Sequence, residues 1–384
     1  MLPATGALKP GELQTPLHIA PLRAVSPSHF TSLQTCALKE VWAGNGNSPL
    51  LPPSPAAHLG SIVHKLLEEA GQGKFATTGA AGIAERWCEL LAATEDRLQQ
   101  RWLDRHLIPL QSSVPQFEVR RLQACKAAGV LNDRRKEHEG SGATVDPAYG
   151  FELPLESSDG LIRGRIDAIL PSPEGPILQD YKSGAIFEIA GSDELVLKNE
   201  YADQLKIYGA LYHERTGVWP HRLEVLPVST APYEVSFTPA ECEELAHAAR
   251  AAVAKVNDLI ATCNGHELEA SLANPSPSAC CYCPYRPACH AYSSATQPAI
   301  GSWPADASGE FRELRLLGNG KRLLLLSSGE AQLAIRGLSS DPQRHPALSF
   351  LQEGDEVGAY SLKPAGPGSF AEGPLSVIYR QAKT

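Results

Sequence analysis

At 384 residues the chain exceeds one typical domain, and 43% hydrophobic against 20% charged residues describes an ordinary globular protein, neither disordered nor membrane-embedded. No stretch reaches the about 20 consecutive apolar residues of a membrane helix, and the first 21 residues lack the basic start and apolar run of a signal peptide, so a cytoplasmic home without membrane contact is expected. The net charge of −9 speaks against a protein that coats nucleic acid by bulk electrostatics, yet allows a carboxylate-rich site served by local basic patches.

In chain order, residues 1–22 are rich in Pro, Gly and Leu without periodicity and read as a flexible arm. Residues 26–42 fit a short helix with Ser or Thr caps, and turn-rich 45–55 fits a loop. Apolar residues at 62, 63, 66 and 67 share one helix face, and helical spacing continues over 80–110 and 117–130. The charged, Gly-containing stretch 132–145 reads as an exposed linker. The period then changes to two: 151–156, 161–170 and 176–182 read as strands joined by turns at 157–160 and 171–175. A helix over 200–216 stops at Gly217, strands follow at 223–228 and 233–237, and 239–263 is helical. Beyond Trp303, five short apolar segments (311–317, 322–327, 331–338, 356–362 and 375–380) suggest a small β-barrel over 303–384. An OB-fold is one candidate and an SH3-like barrel another.

Two segments carry candidate chemistry: Gly-Arg-Ile-Asp at 164–167 and Gln-Asp-Tyr-Lys at 179–182. Strand alternation puts Asp180 and Lys182 on one face and Tyr181 on the other. If residues 170 and 177 pair in a hairpin, Asp167 faces Asp180 and Arg165 faces Lys182, with opposed Cβ atoms about 5 Å apart. Two carboxylates so close repel unless a proton or cation intervenes, and hard oxygen ligands suit Mg²⁺ or Mn²⁺. Around the turn at 157–160, Glu156 then opposes Leu161 and Glu152 opposes Arg165, one diagonal step from Asp167, which favours Glu152 over Glu156 as a further ligand. Such a set suits phosphodiester hydrolysis, with Lys182 orienting water or stabilising charge. A solvated hairpin face with ordinary charges is the bland alternative.

Gly-x-x-x-His at Gly60–His64, Gly-Arg-Ile-Asp, Asp-Tyr-Lys at 180–182 and Gln-x-x-x-Tyr at Gln204–Tyr208 follow one another in order. Together, over about residues 25–295, they resemble the RecB-like branch of the PD-(D/E)XK nucleases, which includes AddB and the CRISPR-associated exonucleases. The resemblance implies an α/β fold: a restriction-endonuclease-like mixed sheet flanked by helices over 23–298, with a helical insertion at 61–145. It implies catalysis by Asp167, Asp180 and Lys182, and metal ligation by His64 beside Asp167, Asp180 and Glu152. It also implies support of the site and DNA contact by Gln204 and Tyr208, whose i, i+4 spacing shares one helix face. Taken singly, His64 fits a helix surface and Tyr208 fits core packing. Asp180 stands where the family also uses Glu.

Of nine cysteines, Cys280, Cys281, Cys283 and Cys289 crowd into one short loop, which in a reducing compartment reads as metal or cluster binding rather than disulfides. Cys280-x-x-Cys283-x5-Cys289 offers three ligands, with Cys281 able to replace Cys280. In iron–sulfur members of the family the fourth lies near the N-terminus, which implies Cys36. Four thiolates suit a 4Fe–4S cluster or Zn²⁺, and either would staple a very long loop. The implied activity is exonucleolytic cleavage of single-stranded DNA or DNA ends, in DNA repair, recombination or phage defence. No phosphate-binding Gly-x4-Gly-Lys-Ser/Thr loop is present, so a separate helicase is a candidate partner. A non-catalytic nucleic-acid-binding subunit and a zinc-stapled interaction protein are the other classes.

Overall fold

A computed structural model of the chain describes residues 9–13, 15–139, 149–189, 194–296 and 302–381. The expected N-terminal arm is not loose where it is described. Leu13, Leu17 and Leu22 are buried, and Leu13 N donates to Arg380 O at 2.9 Å. Three leucines supply enough apolar area to tie such a segment down. Helices α1 (Phe30–Thr35) and α2 (Ala37–Gly44) follow, with Cys36 in extended conformation at their junction. Helix α3 (Pro55–Gly71) begins where the Ser54 side chain accepts from Ala57 N, and it turns Leu59, Ile62, Val63, Leu66 and Leu67 inward. Next come α4 (Gly79–Gln100), α5 (Leu110–Ser113) and α6 (Phe117–Glu139). Helix α6 runs into the stretch expected as a linker, where Arg, Lys and Glu are good helix formers. Residues 140–145 of that linker lie outside the described residues.

The first sheet orders its strands β1 (Gly150–Glu156), β2 (Arg163–Leu170), β3 (Ile177–Lys182), β6 (Arg222–Pro227) and β7 (Tyr233–Val235) side by side. A small hairpin of β4 (Phe187–Ile189) and β5 (Leu195–Leu197) lies outside the expected strands. Among the described strands of the five-stranded sheet only β3 and β6 pair in parallel, and α7 (Asn199–Thr216) makes the crossover between them. Helix α7 ends at Gly217, whose φ of 74° supplies a left-handed cap. Helix α8 (Pro239–Thr262) starts with a Thr238–Glu241 capping box. One sheet face packs Ile166, Leu178, Leu223 and Val225 against α7 and α8. The other packs Ala168 and Tyr181 against α3, α4 and α6. The mixed three-layer architecture agrees with the expected α/β class.

Helices α9 (Gly265–Leu272), α10 (Pro277–Cys281) and α11 (His290–Ala295) carry the chain through the cysteine loop. Seven strands then form one sheet: β8 (Ala307–Leu316), β9 (Arg322–Ser328), β10 (Ala331–Leu338), β11 (Glu356–Tyr360), β12 (Lys363–Gly366), β13 (Ser369–Ala371) and β14 (Val377–Arg380). Their order is β12-β13-β10-β9-β8-β11-β14, curved about Leu324, Leu326, Ile335, Val357 and Ile378. Five strands answer to the expected segments. The short β12 and β13 escape sequence reading because Pro, Gly and Ser give them no apolar alternation. Among the described residues the edge strands β12 and β14 are not paired with each other, so the sheet is half-barrel-like rather than a closed barrel.

Arg286 bolts this sheet to the rest. Its guanidinium donates to Asp306 Oδ2 at 2.9 Å, to Ser361 Oγ at 3.1 Å, and to the carbonyls of Cys280, Cys281 and Cys283 at 3.0–3.2 Å. Asp306 also accepts from Tyr292 Oη and from Ser361 N, both at 2.7 Å. Arg286 and Asp306 are buried, so removing one partner strands the other in a dry site. Arg286→Ala is expected to cost about 3–5 kcal/mol in urea denaturation. A loss below about 1 kcal/mol would show that the two regions are not coupled there.

Candidate active site

Strands β2 and β3 pair with Leu170 opposite Ile177, as the hairpin argument required, and Ala168 opposite Gln179 is their last recorded pair. One step further the strands part at the two carboxylates. Asp167 Oδ2 there accepts from Tyr181 N at 2.5 Å. The β2–β3 ladder ends before it reaches Arg165 and Lys182, so their expected facing is not among its pairs; Arg165 is exposed and pairs with Pro154 on β1, and Lys182 pairs with Pro227 on β6. Alternation also slips here. Ile166 and Ala168, two residues apart, belong to cores on opposite faces, so β2 turns over at Asp167. Strand β1 does the same between Phe151 and Leu153, around Glu152 at φ 52°. A left-handed backbone is costly for a non-glycine residue and marks a bulge-like break in the ladder.

Glu152 lies nearer Asp167 than expected. The pairs Phe151–Ala168 and Leu153–Ile166 bring it level with Asp167, whereas a turn at 157–160 would have opposed it to Arg165. The turn is two residues longer because Asp159 Oδ1 accepts from Ser157 Oγ and Leu161 N, which holds 157–162 out of the ladder. Glu156 sits at the far end, exposed, in an ion pair with Arg163 at 2.9 Å.

Asp180 is the buried centre. Its Oδ1 accepts from Gln204 Nε2 at 2.6 Å, and Oδ2 lies 2.7 Å from Lys182 Nζ without a directed hydrogen bond. Lys182 also donates to Gln204 Oε1 at 3.1 Å, so carboxylate, amide and ammonium close a triangle. Its Nζ rests over the Tyr201 ring, 4.6 Å from the centroid. Burial pushes the Asp180 carboxyl up to about 6, with Asp167 adding to the rise and Lys182 opposing it.

Helix α3 brings His64 to the same place, its Nδ1 3.6 Å from Asp167 Oδ1. Burial pulls this imidazole down, but the neighbouring Asp167 carboxylate, with Asp180 behind it, outweighs burial and raises it. Glu152, His64 and Glu68 line one open cleft of about 490 Å³. The Glu152 carboxyl is pushed up by burial and by the charges of Asp167 and Glu68. Sequence reasoning missed Glu68 and Tyr201. Both were within reach of it, since Glu68 lies one helical turn past His64 and Tyr201 one turn before Gln204.

The motif glycines admit close neighbours. A Cβ at Gly164 would lie 2.6 Å from Tyr208 Oη and 2.8 Å from Pro27 Cδ, and one at Gly60 would meet Ser183 Oγ at 2.9 Å. Tyr208 is 2% exposed and donates to Arg165 O at 2.7 Å, so it braces β2 from beneath. Gln204, also buried, acts on Asp180 and Lys182.

Hard oxygen donors, mutual repulsion and a buried carboxylate oxygen held only by an ionic contact fit a divalent cation in their chemistry. Among the described residues no three His, Cys, Asp or Glu side chains converge closely enough to hold an ion as they stand. The fit therefore rests on donor type and charge, not on a preformed cage.

The four expected cysteines share one region without converging closely enough to hold an ion as they stand. Cys36, Cys280, Cys283 and Cys289 line one small pocket, closed by Trp42 and Tyr292, while Cys281 is exposed and outside it. Asn274 Nδ2 donates to Thr35 O at 2.9 Å, tying the N-terminal segment to the loop. Burial pushes the Cys283 thiol up to about 11 and the Cys289 thiol up to about 12, and Cys36 adds to both. A bound metal would reverse that preference.

Asp180 takes up a proton on folding, because its carboxyl lies near 3.8 in an open chain and near 6 in the fold. Its contribution to stability is therefore full at low pH, falls as pH climbs from about 4 to about 6, and is lost above. In metal-free protein, the stability of Asp180→Asn relative to wild type should rise across that window, by about 3 kcal/mol at most. Urea unfolding at several pH values measures it, and a relative stability that falls with pH would contradict the buried-acid reading.

Among the described residues no helix is long and apolar enough to cross a membrane. No curated protein matches the chain. A family model of the PD-(D/E)XK nuclease superfamily matches residues 24–290, a span that holds both sheet carboxylates, Lys182, His64, Gln204 and the cysteine loop. On that match, with the carboxylate–lysine–glutamine cluster at its centre, the chain belongs to the PD-(D/E)XK nuclease superfamily.

Proposed function

We propose that the chain is a divalent-metal-dependent nuclease that hydrolyses phosphodiester bonds in DNA, acting as an exonuclease on single strands or ends. The closed triangle of Asp180, Lys182 and Gln204 carries this reading, because it holds an ammonium against a buried carboxylate beside a second acid. Asp167, Asp180 and Glu152, with His64, are the residues that would hold Mg²⁺ or Mn²⁺. When bound, such an ion lowers the pKa of water and steadies charge on the phosphoryl oxygens. Lys182, fixed by Gln204 and Tyr201, aims a proton donor and positive charge at the reacting phosphate. Gln204 keeps Asp180 Oδ1 occupied, so its other oxygen remains directed at the site.

The ordered motifs support placement in the RecB-like branch, and the pocket of four cysteines supports a 4Fe–4S staple, with Zn²⁺ as the other occupant suited to four thiolates. The C-terminal sheet is offered as an OB-like module for single strands, and a separate helicase subunit as partner, in DNA repair, recombination or phage defence in the cytoplasm.

End-labelled single- and double-stranded DNA incubated with Mn²⁺ tests the activity. Wild type is expected to cut, Asp180→Ala to be inactive, and Lys182→Ala to be slower by about 100-fold or more. Intact DNA with wild type, or equal cutting by Asp180→Ala, overturns the proposal in favour of a non-catalytic binding subunit. Anaerobically prepared protein should be brown and carry iron, and Cys283→Ser should lose the colour and destabilise the nuclease region. Colourless protein carrying zinc would assign the staple to zinc, and stable protein with neither metal would remove the staple altogether.

A further inference from the structure

Besides the cleft around His64, the site opens on a second one of about 340 Å³. Its walls join distant parts of the chain: Lys182, Tyr201 and Gln204 from the catalytic cluster, Lys39 from α2, and Tyr282 from the cysteine loop. The serines and threonines between Ser28 and Thr35 line it too, presented at helical spacing by α1 and the turn before it. Two lysines and one acid, Glu200, line it, with Lys182 paired to Asp180 at 2.7 Å and Lys39 more loosely to Glu40 at 3.9 Å, so Lys39 is the cation most open to a ligand.

Tyr282 is the unusual member. Its ring is 89% exposed, whereas Tyr208, Tyr285 and Tyr292 are buried. An aromatic face left in water beside lysines and hydroxyls combines the two elements that grip a nucleic-acid strand: a stacking platform for a base, and donors for phosphate oxygens. The cleft's volume is at the low end for small-ligand sites, the scale of a nucleotide and not of a duplex. Bases inside a duplex are already stacked on their neighbours, so a side-chain ring reaches only an unpaired one.

We propose that this cleft binds the unpaired nucleotide next to the scissile phosphate, with its base stacked on Tyr282 and its phosphate held by Lys39 and the Thr31 hydroxyl, since Ser32 and Thr35 already donate to Glu40 and to Thr31 O. The proposal rests on the nuclease reading and adds to it the feature that selects single strands. Tyr282 then sets specificity, while the catalytic cluster sets rate.

Fluorescence anisotropy with labelled oligo-dT and with a blunt duplex, in Ca²⁺ so that binding is read without relying on turnover, tests it. Tyr282→Ala is expected to weaken oligo-dT binding by about tenfold, Tyr282→Phe to stay within about twofold of wild type, and duplex binding to remain unchanged. Oligo-dT binding by Tyr282→Ala equal to wild type would overturn the proposal. So would a Phe variant as weak as the Ala variant, or an equal loss on the duplex. Binding through Tyr282 by a chain that cuts nothing would sink the catalytic reading and leave this one standing. Normal cutting with unaltered binding by Tyr282→Ala would do the reverse.

Discussion

A carboxylate in the dry layer between a sheet and its covering helix constrains everything around it. Asp180 occupies a position on central strand β3 whose neighbour on the same face, Leu178, is pure core. A charge there is tolerable only with partners, and α7 supplies one through Gln204 while the strand supplies the other through Lys182. These partners fix how α7 must lie on the sheet, which in turn makes the parallel crossover from β3 to β6. The acid is expensive in the metal-free fold, and that expense is characteristic of a site arranged for a charge still to come.

The same region breaks the regularity of its own sheet. At Asp167 and Glu152 the strands turn over, so two side chains that ordinary pleating would hold on the sheet faces are available at the end of the ladder. Helix α3 packs on the opposite face from α7, yet its His64 reaches Asp167 because of this turn. The site therefore lies where the two cores meet. Its cluster draws on both layers, and neither layer alone could assemble it.

Much of this was legible in the residues. The period-two segments located β1 to β3, and the pairing of Leu170 with Ile177 followed from the length of one turn. The other turn was longer than its composition suggested, since side-chain bonds from Ser157 and Asp159 held extra residues out of the ladder. The error was two residues, an even number, so it moved Glu152 along its strand without exchanging faces. That is why Glu152, and not Glu156, lies level with Asp167 despite a wrong register. Alternation could not reveal the turn-over at Asp167, because a reversal of face depends on backbone angles such as that of Glu152. Nor could it reveal β12 and β13, which are held by pairing to neighbours and not by an apolar face of their own.

Arg286 gives the domain boundary an unexpected meaning. The cysteine loop presents three carbonyls inward, and the cation that satisfies them takes its counter-charge from Asp306, beyond the end of the family match. The electrostatic unit thus straddles the line that similarity would draw between nuclease and appendage. Ending the chain at that line would leave the guanidinium on its three carbonyls without its counter-charge, so the smallest part able to hold the cysteine loop in this form extends at least through Asp306. Evolution could replace the sheet beyond it only by offering another acid at the same place. In that sense the C-terminal region is a component of the loop's architecture before it is a domain in its own right.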